Sequence, residues 1–260
     1  MKLNLKGKKV LISGGTHGIG LAIAIAFAKE GCSVCVFSRT KKRVLKTRKK
    51  LDEMGVDNIC LVADVLNKGS YDLVEAEVKR KWGGVDIVIN NTGGGGRWGN
   101  PDFLETEDMV WEEVYDKNFT AAMKYTKMFL PHMMKNEWGR VITITSIYGR
   151  QAGGRPWFNV SKSAQTTFMK NLAINPKYAS ANITFNSVAP GAIWIPDTGW
   201  EKQKQENPED FEEFIKAKFP RGSMGTPKEV ADLVVFLGSP LASLINGASI
   251  SADGGESSYF

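Results

Sequence analysis

Apolar positions along this chain of 260 residues recur with two different periods. Short apolar runs predict buried strands, and the segments between them carry apolar residues at helical spacing. The predicted strands are 10–12, 33–39, 58–64, 85–91, 141–146, 183–189 and 248–252. The predicted helices are 19–29, 41–54, 68–82, about 107–135 with an interruption near Pro131, a helix from about 157, and 227–237.

The order of these elements predicts the fold class. Strands that alternate with helices, several of them nearly all apolar, are typical of a parallel sheet covered on both faces. We therefore predict an α/β fold with a doubly wound parallel sheet of the Rossmann type. The chain shows no break in composition, repeat or linker, so residues 1–260 are predicted to form a single domain, with a charged and helical insert at about 194–221.

A glycine-rich stretch, VLISGGTHGIG from Val10 to Gly20, follows the pattern strand, tight turn, helix. Glycines let backbone amides approach a ligand, and a helix that begins near Gly18 directs its positive end toward the same point, which suits a pyrophosphate. Close packing of the helix on the strand is the alternative role for such glycines. The spacing Ser13-Gly14-x-x-x-Gly18-x-Gly20 resembles the Thr-Gly-x-x-x-Gly-x-Gly turn of the short-chain dehydrogenase/reductase family, with Ser13 in place of the threonine.

The same resemblance extends over essentially the whole chain and implies a catalytic set. Asn118 in DKNFTAA resembles the helix asparagine that holds a proton-relay water, and Ser146 at the end of VITITS resembles the serine that hydrogen-bonds the substrate carbonyl. Lys162 in FNVSK resembles the lysine that binds the nicotinamide ribose and lowers the pKa of a catalytic tyrosine. Phe158 stands at the position of that tyrosine, one helical turn before Lys162.

Phenylalanine has no proton to give to the alkoxide that hydride transfer to a ketone leaves behind. Either a deliberate Tyr-to-Phe substitution or natural divergence accounts for Phe158, and both remain open at this point. Tyr148 is a candidate substitute donor, with packing or lining of a substrate pocket as its alternative role.

The end of the second predicted strand indicates which dinucleotide is bound. An Asp or Glu about 20 residues past the glycine turn would hydrogen-bond the ribose of NAD. Here the strand ends in Ser38 and Arg39, which can hold a 2′-phosphate with help from His17, so we predict NADP(H). Together the motifs and the resemblance predict these cofactor-binding residues: Gly14, Thr16, His17, Gly18, Ile19, Gly20, Ser38, Arg39, Asp64, Val65, Asn91, Gly93, Lys162, Pro190, Gly191 and Ile193.

Three further positions bear on the resemblance. Asn90 is expected to support both the cofactor and the central strand, and Thr92 replaces the alanine of the Asn-Asn-Ala-Gly motif. After Pro190-Gly191, Ile195 stands where a threonine would contact the nicotinamide carboxamide, so we expect a backbone contact at Ile193 instead.

The resemblance implies ketone and alcohol interconversion, with the insert closing over the substrate. Arg97, Arg150 and Arg155 are expected to make the mouth of the pocket basic, which favours a polar, anionic or sugar-type small molecule. The alternatives are a 3-oxoacyl carrier-protein reductase and a cofactor-binding protein without redox turnover. Relatives of this kind pair the helix at 107–135, the helix that bears Phe158 and the last strand across two-fold axes, so a homotetramer is expected.

Composition argues against several other classes. The net charge of +6 is concentrated in the basic run 41–50, where Val44 and Leu45 would form the buried side of a solvated helix, so nucleic-acid binding is not expected. The odd number of cysteines and the N-terminus without a signal or membrane-spanning pattern favour a cytoplasmic protein. Cys32 and Cys35 would point to opposite faces of a strand, and with two histidines in the chain we expect no metal.

Overall fold

The computed structural model describes residues 2–259. Within that range seven parallel strands form one sheet in the order β3-β2-β1-β4-β5-β6-β7. The strands are β1 Lys9–Ser13, β2 Ser33–Ser38, β3 Asn58–Val62, β4 Ile87–Asn90, β5 Gly139–Ile144, β6 Ile183–Pro190 and β7 Ser249–Ala252. The predicted doubly wound parallel sheet is confirmed, and its strand order reverses between β1 and β4.

The helices cover both faces of this sheet. They are α1 Gly18–Lys29, α2 Lys41–Glu53, α3 Lys68–Trp82, α4 Asp108–Tyr115, α5 Ala121–Lys135, α6 Pro156–Ala173, α7 Pro176–Ala179, α8 Gly199–Glu206, α9 Pro208–Lys218 and α10 Pro227–Leu237. A π turn, Asp116–Thr120, joins α4 to α5. Among residues 2–259, no helix combines the length and apolarity needed to span a bilayer.

Two apolar cores, one on each face of the sheet, follow from the alternation of side chains along each strand. Val10 and Ile12 face the core that contains α1 and α10, whereas Leu11 between them faces the core that contains α3 and α5. Cys32 and Cys35 are buried in opposite cores, as their spacing predicted.

The helix pattern differs from the sequence prediction at two places. The interruption expected near Pro131 lies instead at the π turn Asp116–Thr120, and α5 continues through the proline. Pro131 is on the exposed face of α5, where the carbonyl that loses its amide partner can be hydrated. On α2, Leu45 is 51% exposed, and the buried face is formed by Val44, Thr47 and Leu51.

The insert folds as two helices on a small core of its own. A single parallel bridge between Ile193 and Gly225 closes its base. Phe211, Phe219 and Met224 form the buried centre of this core. Because α8 and α9 stand on this core, they can cover the adjacent edge of the sheet.

Candidate active site at the carboxyl edge of the sheet

The glycine turn is fixed to β4 by the side chain of Ser13. Its buried Oγ accepts hydrogen bonds from the backbone amides of Asn91 and Thr92, both at 2.9 Å. The Asn91 side chain returns the contact by donating to Ser13 O at 2.9 Å. These bonds hold the carboxyl ends of β1 and β4 together at the point where the strand order reverses.

The turn itself needs glycine for conformation and for space. Gly14 and Gly18 have φ values of +65° and +53°, in the left-handed region that favours glycine. A Cβ on Gly20 would collide with Gly14 O, and one on Gly15 would collide with Val36. The first-turn amides of α1 lack intrahelical partners, so the helix begins as an anion site beside this turn.

A cavity, here called the switch-point cavity, opens in front of the turn. It is lined by Gly14, Thr16, His17, Phe37, Ser38, Arg39, Thr40, Arg43, Ala63, Asp64, Val65, Asn91, Thr92, Gly93 and Lys117. Nine of the sequence-predicted cofactor residues therefore meet in one place. Asn90 is instead buried inside the sheet, where its Nδ2 donates to Thr126 Oγ1 at 3.0 Å. Of its two expected roles, this contact agrees with support of the central strand and not with contact to a cofactor.

One end of the switch-point cavity is basic. Thr16 donates to Ser38 Oγ at 2.7 Å, and Arg39, Arg43 and Lys117 line the space beyond them. Burial and the positive charge of Arg39 lower the pKa of Lys117, which also lies 4.2 Å from the centre of the Trp98 ring. Burial and then Arg43 lower the pKa of His17, so its imidazole is the neutral form near pH 7.

Two of these basic residues were missed by the sequence analysis. Arg43 was placed on a solvated helix face, although it lies in the first turn of α2, four residues after Arg39, and lines the same cavity. Lys117, next to Asn118 in the sequence, reaches the cavity because the π turn places it there.

Lys162 lies beneath Gly93 of the switch-point cavity and is hydrogen-bonded to Ile144, which lines a second cavity. Its Nζ donates to Ile144 O and to Gln165 Oε1, both at 3.0 Å. A Cβ on Gly93 would stand 3.0 Å from this Nζ and 2.7 Å from Asn118 Oδ1, so glycine is needed there for space. Burial lowers the pKa of Lys162 to about 7.

Asn118 is fully buried in the π turn and ties it to the glycine loop. Its Nδ2 donates to Gly94 O at 2.9 Å and to Val114 O at 2.7 Å, and its Oδ1 accepts from Gly94 N at 3.2 Å. The side chain therefore holds the loop that roofs Lys162.

The second cavity, here called the insert cavity, has a volume of about 620 Å³, a size typical of small-molecule sites. Six of the predicted residues line it: Ile19, Ser146, Phe158, Pro190, Gly191 and Ile193. The insert contributes Trp200, Phe214 and Lys218 to the opposite wall. Gly18 is covered by Ile195, the residue found in place of the expected threonine.

Ser146 and Phe158 face the same space from β5 and α6. Ser146 Oγ accepts from Tyr148 N at 3.2 Å, which leaves its own hydrogen available to an oxygen in the cavity. The Phe158 ring centre is 5.6 Å from Lys162 Nζ. Tyr148 also lines the cavity, and burial and then Glu256 raise the pKa of its phenol.

The three arginines expected at the mouth are separated in the structure. Arg97 lines the insert cavity and lies 4.5 Å from the centre of the Trp200 ring. Arg150 donates to Ser249 O at 2.9 Å and contacts Tyr259, and Arg155 precedes α6 beside Trp157. The acidic Glu256, which sequence reasoning missed, accepts from Ala192 N at 2.6 Å and lines the cavity.

The residues present fit a dinucleotide. The turn offers glycines and a helix N-terminus for a pyrophosphate, and the basic end offers three cations for a further phosphate. Among the described residues, no three His, Cys, Asp or Glu side chains are grouped so that they could hold a metal ion.

A doubly wound sheet with a glycine turn at its switch point defines a class of α/β proteins that contains several families. Comparisons with known proteins show which of these families the chain belongs to. A family model described as enoyl-(acyl carrier protein) reductase matches residues 14–257. The 3-oxoacyl-(acyl-carrier-protein) reductase FabG of Aquifex aeolicus is 32% identical over 257 residues, covering 98% of this chain and 99% of its own.

Solved structures agree with this placement. L-Sorbose reductase from Gluconobacter frateurii, complexed with NADPH and L-sorbose, is 29% identical, covers 100% of both chains and superposes with a TM-score of 0.91. A variant of the actinorhodin polyketide ketoreductase with NADPH is 30% identical, covers 97% of this chain and 98% of its own, and has a TM-score of 0.88. The chain belongs to the short-chain dehydrogenase/reductase family, as its motifs predicted.

Proposed function

We propose that this protein is an NADP(H)-dependent oxidoreductase that interconverts a ketone and a secondary alcohol on a polar small molecule. The observation that carries the proposal is the position of Lys162, beneath Gly93 of a cavity suited to a dinucleotide and hydrogen-bonded to Ile144, which lines a second cavity together with Ser146. The FabG relative and the sorbose and polyketide reductases, which act on carbonyl compounds by name, support the reaction class.

The basic end of the switch-point cavity supports NADP(H). In a protein selective for NAD, an acidic residue in this region would hydrogen-bond the ribose of the cofactor. The cavity instead has three basic residues there, Arg39, Arg43 and Lys117. Guanidinium groups bind phosphate through charge-assisted hydrogen bonds. One such contact contributes on the order of 1.5 to 3 kcal/mol, or about ten- to a hundredfold in affinity. The NADPH present in both solved relatives is consistent with this choice.

The chemistry that a bound NADP(H) would supply to the proposed reaction is hydride donation or acceptance. Ser146 donates its hydroxyl hydrogen to the substrate oxygen and polarises the carbonyl. Lys162, whose pKa of about 7 leaves it partly protonated near neutral pH, lies beneath Gly93, beside the ribose position that the family resemblance implies. Asn118 keeps the glycine loop closed over Lys162, so the charge acts in a site from which water is largely excluded.

Phe158 leaves the proton step without its expected donor, so we propose that the chain as written turns over slowly. Ser146 polarises oxygen but is a poor acid. Tyr148 lines the same cavity, but its raised pKa makes it a weaker acid than an ordinary phenol. A cofactor-binding protein without redox turnover is the second candidate function, and Phe158 is the observation that favours it.

Arg97 and Lys218 on the wall of the insert cavity favour a substrate with anionic or hydroxyl groups. Glu256 on the same wall adds an acceptor that suits a polyol or sugar. A 3-oxoacyl thioester is the alternative substrate class, supported by the FabG relative. The insert helices, which stack Trp200 on Phe214 with ring centres 5.7 Å apart, would cover either substrate.

A homotetramer is part of the proposal. Met109 on α4 and Val160 on α6 are 58% and 50% exposed, on the helices expected to pair across one two-fold axis. Leu244, just before the edge strand β7, is 96% exposed on the surface expected to pair across another. Burial of such side chains between subunits is favourable.

The test compares the chain as written with Phe158→Tyr and with the control Phe168→Tyr, which adds the same hydroxyl elsewhere on α6. NADPH binding is followed by fluorescence, and NADPH oxidation is followed with L-sorbose, other polyols and sugars, and a 3-oxoacyl thioester. General acid catalysis contributes about 10²- to 10⁴-fold, so Phe158→Tyr should gain that factor in kcat with little change in NADPH affinity.

Three other outcomes separate the alternatives. Failure of every form to bind NADPH refutes the cofactor assignment. Tight binding of NADPH with no turnover by any form supports the protein without redox function. Turnover that Phe158→Tyr leaves unchanged and Tyr148→Phe abolishes assigns the proton to Tyr148.

A further inference from the structure

Gln165 is a fully buried amide that bridges two residues of the site from within α6. Its Oε1 accepts from Lys162 Nζ at 3.0 Å, and its Nε2 donates to Asn118 O at 3.0 Å. Phe158, Lys162 and Gln165 are spaced by four and three residues, so they share one face of the helix. The amide therefore lies on the interior side of the ammonium, and Phe158 lies one turn before it.

The hydrogen bond to Gln165 helps to fix the directions in which the N–H donors of Lys162 point. An ammonium group has three donors. One is used by the carbonyl of Ile144, a residue that lines the insert cavity, and a second is used by Gln165 Oε1 on the interior side. A Cβ on Gly93, which lines the switch-point cavity, would stand 3.0 Å from Nζ, so the third hydrogen has the open space above Gly93 on its side.

An amide in this position differs in chemistry from a water molecule or an acid. A side-chain amide neither gains nor loses a proton near neutral pH, so it can hold the ammonium but cannot pass a proton to Asn118 O. The Asn118 side chain is engaged as well, with both of its ends bonded to Gly94. The hydrogen-bonded path behind Lys162 therefore ends in groups that do not titrate.

We propose that Gln165 is a positioning residue that fixes the ammonium of Lys162 from the interior side and closes that side to proton transfer. Lys162 then exchanges protons by way of the two cavities. Toward a bound nucleotide it acts as a hydrogen-bond donor whose position is fixed. The role of Lys162 toward a bound nucleotide rests on the proposed function. The role of Gln165 in fixing the ammonium concerns the nucleotide-free protein and does not rest on the proposed function.

The groups placed around Nζ by the described residues are neutral. Gln165 Oε1 and Ile144 O accept from it, the centre of the Phe158 ring lies 5.6 Å away, and the Gly93 loop lies above it. A change at position 165 should therefore act directly on the titration of Lys162. Gln165→Glu places a carboxylate about 3 Å from Nζ, which favours the ammonium. Gln165→Leu removes the acceptor and favours the neutral amine.

The experiment is an NMR titration of the Lys162 side chain in the free protein, with the signal assigned by its loss in Lys162→Met. The unaltered protein should titrate near pH 7, Gln165→Glu at least about one unit higher and Gln165→Leu about one unit lower. Asn171→Asp, the same amide-to-acid change on the exposed face of α6, should leave the midpoint in place. Equal midpoints in all four proteins overturn the positioning role.

A second measurement tests the closed interior side with NADPH bound. Solvent exchange of the Lys162 ammonium hydrogens should be slowed by NADPH in the unaltered protein. It should stay fast in Gln165→Ala, whose cavity admits a water between Nζ and Asn118 O. Equal slowing in both proteins overturns the closure. Failure of NADPH to bind refutes the proposed function alone, because the titration of the free protein still decides the role of Gln165.

Discussion

Burial of Lys162 should make the stability of the nucleotide-free protein depend on pH in a way that can be calculated. The side chain is 4% exposed, and burial lowers its pKa from 10.5 to about 7. One pKa unit corresponds to about 1.36 kcal/mol, so a charged Lys162 costs the folded state roughly 4 to 5 kcal/mol. The replacement Lys162→Met keeps a long side chain and removes this cost.

The sign follows from the protons that each state binds. Between about pH 7 and 10.5 the unfolded chain holds a proton on Lys162 that the folded protein has lost, so stability rises with pH in that window. The cost is fully present below pH 7 and disappears toward pH 10.5. Between pH 6 and pH 9 it should fall by roughly 2 to 3 kcal/mol.

Urea unfolding at pH 6 and pH 9 measures the effect. Lys162→Met leaves Ile144 O and Gln165 Oε1 without a donor, a penalty that does not vary with pH, so the comparison uses the change with pH and not the absolute stability. The free energy of unfolding of the unaltered protein should gain roughly 2 to 3 kcal/mol relative to Lys162→Met on going from pH 6 to pH 9. Lys170→Met, an exposed lysine on the same helix, should follow the unaltered protein. If the free energies of unfolding of Lys162→Met and the unaltered protein change with pH in the same way, the claim that burial destabilises the charged form of Lys162 is refuted.

Three more outcomes are expected. Arg39→Ala should weaken NADPH binding about ten- to a hundredfold in a fluorescence titration and leave NADH unchanged, whereas the exposed Lys42→Ala should affect neither; equal loss for both cofactors contradicts the phosphate site. Ser13→Ala should lower the free energy of unfolding in urea by about 1 to 3 kcal/mol, because two amides lose their acceptor, and Ser13→Thr should be tolerated. Equal stabilities of Ser13→Ala and the unaltered protein contradict the role of Ser13 in holding β1 and β4 together. Light scattering should give a tetramer that Leu244→Glu weakens, and a monomer at micromolar concentration rules out the assembly.

The sequence predicted those parts of the site that local motifs encode. The glycine turn, Ser38 and Arg39 all lie within a few residues of a strand end, where chain direction alone brings them to one edge of the sheet. The strands were predicted because several of them are short, nearly all-apolar runs, and β1, β5 and β6 are buried almost throughout.

The residues that the sequence did not reveal depend on contacts between elements. Lys117 reaches the cavity through a π turn, which apolar periodicity does not show. Glu256 meets Ala192 across 64 residues of chain, and such a contact leaves no local pattern. Gln165 did leave a signal, an amide three residues from Lys162 on the same helix face, but its second contact with Asn118 required the packed structure.

Phe158 and Gln165 together determine which groups on α6 surround the amine of Lys162. The ammonium faces a ring without a hydroxyl at one turn of α6 and a non-titrating amide at the next, and the amide also takes the Asn118 carbonyl. Two positions on one helix face therefore place beside Lys162 groups that neither give nor take a proton near neutral pH. Phe158→Tyr changes the first of these groups and leaves the second in place, so we expect it to act on the proton step without removing the hydrogen bond from Lys162 to Gln165.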